Sequence, residues 1–222
     1  PNMSDEDVLD IFSRLNSYAV NLNEQEKLNA NHFGPFKILA DDIGFKYSSY
    51  LVKQRVLTAK QILRMKEVAL VADLLIAMRE GIRSKKQIKK FYDEYEKAFA
   101  GSPVLLKARF DRIIAKIDEI FPNGLTQTEF KRPILFYSLF TTVAHCLFRV
   151  PKLNAPRKSL AKSVVEETRA GLERVRELFK VSPENLNSLT ELERRFLTDC
   201  RRATTDQIVR ERRTRFLLGL VR

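Results

Sequence analysis

The chain is poor in the residues that punctuate sheets. It has only 7 Gly and 8 Pro in 222 residues, and 31% of it is charged. Sandwiches and barrels need frequent Gly- and Pro-rich turns, so this scarcity favours helices. Cysteine is also scarce. Cys146 and Cys200 lie far apart in helical patterns with no partner motif, which argues against a disulfide framework and suits a reducing cytoplasm. No run of 18 apolar residues occurs, so no segment is expected to span a membrane. The amino terminus is acidic rather than basic and then apolar, so no signal peptide is visible. His-Asn-His, Walker and Gly-x-Ser-x-Gly signatures are lacking, as are zinc-spaced cysteines. Neither His32 nor His145 has a ligand-type neighbour at metal-binding spacing, and His145 beside Cys146 reads as core. No metal and no cofactor is expected, and no nuclease activity from these residues alone.

What the chain has in excess is positive charge: +12 net, with a pI near 9.8. Such a balance points to a polyanionic partner. It is unevenly spread. Asp5, Glu6, Asp7, Asp10, Glu24 and Glu26 dominate the first thirty positions, while nine arginines face three acids after residue 193. Two clusters stand out. Lys85, Lys86, Lys89 and Lys90 form a compact patch, and Arg201, Arg202, Arg210, Arg212, Arg213 and Arg215 form another. Both are expected to touch DNA phosphates, the arginines through bidentate contacts. A charge run is often no more than a solvated face. Phe216, Leu217, Leu218, Leu220 and Val221 follow the last arginines and must dock on the core, dock on a partner or stay exposed. The alternative function is therefore a protein-interaction module whose final helix binds a partner.

The spacing predicts helix throughout: an all-α, irregular multi-helix bundle with a basic carboxy-terminal section. Helices are expected over 4–16, 23–31 and 35–43, with a loop or single turn over 45–51. Thr58 and Gln61 form a capping box for a long helix ending at Gly81, apolar on most sides and hence central. Further helices are expected over 85–99, 103–120 and up to Arg149, the last with Pro133 in its first turn or at its start. Helices over 159–180, 190–203 and 205–221 complete the chain. Two prolines and an Asn over 150–156 mark the best boundary, dividing a core domain (1–150) from a basic helical section (151–222).

The most specific stretch is Phe12-Ser-Arg14-Leu15-Asn16, followed by Leu22-Asn-Glu-Gln25-Glu26-Lys-Leu-Asn29-Ala30. Gln25 and Asn29, four apart, share a helix face. Arg14 can fork two donors onto Glu26, so Arg14, Asn16, Gln25, Glu26 and Asn29 read either as a polar clamp between two helix ends or as part of a composite site. This stretch resembles the family of the amino-terminal domain of GmrSD-type modification-dependent restriction endonucleases. There a ParB/sulfiredoxin-like α/β domain passes into a helical region through F-x-R-L-N, a loop, and L-x-x-Q-E-x-x-N-A. The family's chemistry is associated with an upstream Asp-Gly-Gln-Gln-Arg-type motif, and no Asp-Gly dipeptide occurs in this chain. The resemblance therefore implies the carboxy-terminal part of a longer prokaryotic anti-phage protein, or a separately encoded half. The implied partners are DNA and an α/β nuclease domain in cis or in trans, with a homo-oligomer left open.

Overall fold

The computed structural model describes residues 22–99, 101–202 and 204–222. Ten α-helices and no strand are found among them. The helix expected over 4–16 lies outside the described residues, and Arg14 and Asn16 with it. Helix α1 (Glu24–Asn31) starts at Asn23, whose side chain accepts the Gln25 and Glu26 N–H groups. The Glu26 carboxylate accepts the Asn23 N–H at 2.6 Å, completing a capping box.

Helix α2 (Pro35–Lys53) runs straight through the segment expected to be a loop. Phe36, Leu39, Ala40, Ile43 and Leu51 carry one buried stripe along it. The Tyr and Ser content that suggests a loop has another use. Tyr47 and Tyr50 donate their hydroxyls to Asp111 (2.7 Å) and Asp118 (2.8 Å) on α6 (Pro103–Ile120).

The long helix expected from Thr58 is two helices. Thr58 and Gln61 do form the capping box, but for the single turn of α3 (Ala59–Ile62). The chain then turns at Met65, in the left-handed region with φ 54°, before α4 (Lys66–Glu80). A left-handed non-glycine residue is uncommon, and tertiary contacts must hold it. Here the Arg64 carbonyl accepts Asn23 Nδ2 at 3.0 Å. Helix α4 is central as expected, buried from Glu67 to Ala77.

A 3-10 turn (Lys85–Gln87) leads into α5 (Ile88–Glu94), which stops short of Phe99, and Ser84 makes no side-chain cap. Helix α7 (Pro133–Phe148) begins at its proline and is buried from Leu135 to Cys146. Helices α8 (Val165–Lys180), α9 (Glu191–Arg201, with the expected Thr190/Glu193 capping box) and α10 (Gln207–Leu220) follow.

The segment over 150–156 is fastened to α7. His145 on α7 accepts the Val150 N–H at Nδ1 (3.2 Å) and donates from Nε2 to the Ala155 carbonyl (3.1 Å). Arg157 donates to the Cys146 and Leu147 carbonyls, which the end of α7 would otherwise leave unpaired. Beyond it, α10 packs along α7, where Thr141 and Thr214 share a buried hydroxyl–hydroxyl bond of 2.8 Å. On α8, Gly171 approaches the Leu220 carbonyl so closely that a Cβ would collide with it. One apolar core thus runs from Phe36 to Val221 across the expected boundary. No described helix is long and apolar enough to cross a membrane.

Candidate nucleic-acid interface

Two features that are sixty residues apart in sequence share one cleft. A cavity of about 450 Å³ is lined on one side by Glu24, Gln25 and Leu28 of α1 and on the other by Lys85, Lys86, Ile88 and Lys89. Lys66 and Ala69, in the first turn of α4, and Thr205 also line it. Gln25 is buried, and its Nε2 donates to the Tyr92 hydroxyl at 2.9 Å, so α1 is pinned to α5 across the cleft. The backbone N–H of Lys85 donates to the Thr205 carbonyl at 3.3 Å, which ties the lysine turn to the segment before α10.

Arg14 and Asn16 of the expected clamp lie outside the described residues; within them Glu26 pairs with Arg64. Arg64 reaches Glu26 through Nε at 2.7 Å and through a second nitrogen at 2.9 Å. The Asn23 N–H, ahead of the Arg64 ion pair, holds the Glu26 carboxyl below its usual range. Arg64 is 38 residues from Glu26 and falls inside an apolar pattern that continues past it, so no local signal marks it. The turn at Met65 is what swings it toward α1. Asn29 is half-buried on α1, and its Oδ1 has no hydrogen-bond partner among the described residues. Below α1, Glu67 is buried on α4, and its carboxyl is pushed up by burial and by the nearby charge of Asp41.

The lysine patch is solvent-facing. Lys85, Lys86, Lys89 and Lys90 are all exposed. Lys89 pairs with Asp93 at 2.7 Å, and His32 Nε2 meets the same carboxylate at 2.9 Å. These two partners hold Asp93 below the usual carboxylate range. Lys90 does not line the cleft.

Two of the six cluster arginines are turned inward, which corrects the expectation that the cluster contacts DNA as a unit. Arg210 is 3% exposed and Arg213 is 1% exposed, so neither lies on the outer surface where a duplex backbone would run. Arg210 donates to both oxygens of the buried Asp73 at 2.7 and 2.8 Å and to the Arg83 carbonyl, and its guanidinium lies 4.2 Å from the Tyr137 ring centre. Burial opposes its charge, yet Asp73 more than offsets this and raises it above its ordinary range. Arg213 donates to the Asp199 and Thr204 carbonyls, closing the carboxy-terminal end of α9. Arg212 is bidentate to Asp199, and Arg215 pairs with Glu211 four residues back. Arg201, Arg202 and Arg215 are exposed.

Between α9 and α10 lies an apolar groove of about 500 Å³. Phe196 and Phe216 stack at 4.2 Å on its floor, with Leu192 exposed beside them and Arg195, Arg212 and Arg215 on its rim. Leu217, Leu218 and Val221 are buried in the chain's own core. Cys146 and Cys200 are buried free thiols, pushed up to about 11 and about 12 by burial, and so are poor nucleophiles. No group of three or more His, Cys, Asp or Glu side chains among the described residues could hold a metal ion.

Comparison with family models, with curated proteins and with solved structures gives no match.

Proposed function

We propose that the chain is the helical part of a GmrSD-like restriction or anti-phage protein, and that its own contribution is the basic cleft between α1 and α5, which holds a nucleic-acid backbone beside an α/β nuclease domain supplied in cis or in trans. The observation that carries this reading is convergence. Gln25, from the element that resembles the family junction, and Lys85, Lys86 and Lys89 of the lysine patch line one cleft. Lysines on a groove wall meet phosphates as mobile point charges without reading sequence.

Fluorescence anisotropy with a labelled duplex across a salt series tests it. Lys66, Lys85, Lys86 and Lys89 together predict a log–log slope on the order of −3 to −4 with little sequence preference. Changing all four to Ala should flatten the slope by at least two. Arg201→Ala with Arg202→Ala should change it less. Equal affinity and slope for the quadruple variant and the parent would end this reading.

The groove between α9 and α10 favours a second reading, a protein-docking module. Its apolar floor and arginine rim suit an acidic amphipathic helix. Leu192→Asp, which should abolish such docking and leave DNA binding alone, separates the two.

A further inference from the structure

Behind the lysine turn, under Lys85 and Thr205, a second and smaller cavity of about 60 Å³ reaches inward to Asp73, Tyr137, Arg210 and Arg213. This is several times the ~10–15 Å³ that admits one water, yet too small for a nucleotide. Two of its buried polar atoms lack an acceptor among the described residues: Arg213 Nε, and the Tyr137 hydroxyl, whose neighbour Arg210 can only donate to it. Tyr137 is 3% exposed and Arg213 is 1% exposed. Buried polar groups are almost always paired, and those that are not commonly mark a bound water or ion.

The kind of occupant follows from charge and from bonding roles. Arg213 Nε can only donate, and so can the Lys85 ammonium. The Tyr137 hydroxyl keeps its proton, because burial and the Asp73 charge both push its pKa up. Lys85, Arg210 and Arg213 bring three positive charges against the one of Asp73, whose two oxygens are already engaged by Arg210. Arg213 has only backbone carbonyls for its terminal nitrogens. The cavity therefore offers unpaired donors and an excess positive charge, a combination that an acceptor-rich anion satisfies better than water.

We propose that this cavity is a site for one small oxyanion of the phosphate class, held by Arg213 Nε, the Tyr137 hydroxyl and Lys85. The occupant is either free phosphate or the terminal phosphate of a nucleic-acid strand. The proposal does not rest on the cleft's holding DNA, because the site is filled and read with no DNA present.

Isothermal titration with inorganic phosphate at constant ionic strength, with chloride as the balancing salt, tests it on the full chain. One saturable site is expected. Tyr137→Phe and Lys85→Met should each weaken it about tenfold or more, with unchanged helical circular dichroism, while Lys90→Met should leave it intact. Arg213→Lys keeps the charge but removes Nε and should abolish binding; if it fails to fold, the first two variants still decide. Displacement of phosphate by a short 5′-phosphorylated oligonucleotide, but not by its 5′-hydroxyl counterpart, assigns the occupant to a strand end; displacement by neither assigns it to the free ion. No saturable heat, or equal affinity in the parent, Tyr137→Phe and Lys85→Met, overturns the proposal. DNA binding that survives while phosphate binding is absent leaves the cleft reading standing and removes only this one.

Discussion

The arginine-rich helix α10 and the lysine turn before α5 look alike as charge runs and behave as opposites. In α10, Arg210 and Arg213 are buried among Asp73, Tyr137 and backbone carbonyls, and Arg212 is locked to Asp199. At the start of α5, Lys86, Lys89 and Lys90 stay in water, Lys89 paired with Asp93, and Lys85 reaches from the surface to the small cavity. The difference lies in side-chain chemistry and in packing. A guanidinium presents several donors in a flat fork and tolerates burial against a carboxylate, a ring and a helix end. An ammonium is strongly hydrated and stays outside. Helix α10 also carries Leu217 and Leu218 into the core, so its inward arginines go with them. Density of positive charge is therefore a poor guide to a nucleic-acid surface unless it is known which helices dock.

The sharpest way to break this contrast is Asp73→Ala. It strands the Arg210 guanidinium in the core, and breaking a buried pair from one side costs about 3–5 kcal/mol. Urea denaturation should show that loss, whereas Asp73→Leu combined with Arg210→Met should recover most of it. A neutral Asp73→Ala would mean that Arg210 faces solvent after all.

Next in size is Asn23→Ala, which removes the cap of α1 together with its bond to the Arg64 carbonyl. A loss of about 1 kcal/mol is expected from the cap alone. Tyr92 fluorescence or exchange protection of α1 should report detachment of the motif helix from α5, while α10 remains protected.

His145 tests whether the segment over 150–156 joins the two parts rigidly. Burial pulls its pKa below the ordinary 6.5, and its Nδ1 accepts the Val150 N–H, so the folded ring is neutral. A depressed folded pKa gives stability that is fully present above pH 6.5. That stability is lost as pH falls from 6.5 toward the folded value, because the unfolded chain takes up the proton first. Thermal melts of the parent should decline in that window more than those of His145→Asn. Parallel curves would show that the ring is not what pins the segment.

The smallest stability effect belongs to the lysines. Lys86→Ala and Lys90→Ala should each stay within about 0.5 kcal/mol of the parent, as exposed substitutions usually do. Lys86→Ala should weaken duplex binding, whereas Lys90→Ala, outside the cleft, should weaken it less. Equal effects would blur the cleft into a general basic surface.

Much of the fold is legible from local pattern. Thr58/Gln61 and Thr190/Glu193 close the capping boxes that their spacing implies, and α6 and α7 start at their prolines. Caps and proline starts are local chemistry, satisfied within one turn, so short-range sequence is enough. The misreadings have long-range causes. Tyr47 and Tyr50 suggest a loop until Asp111 and Asp118 are seen across from them. The helix after Thr58 reads as continuous until Asn23 and Glu26 engage Arg64 and hold a left-handed Met65.

The candidate site divides the same way. By itself the sequence determined helical content, the capping chemistry, the apolar character of α4 and α7, and which residues carry charge, because each depends on composition or on spacing within a few residues. The tertiary structure alone decided which charges are available. Whether an arginine meets water or Asp73 depends on a partner 137 residues away. Whether Gln25 and Lys85 share a cleft depends on how α1, α4 and α5 pack. Burial and ion pairing are set by what lies across the interface, and no local spacing encodes that.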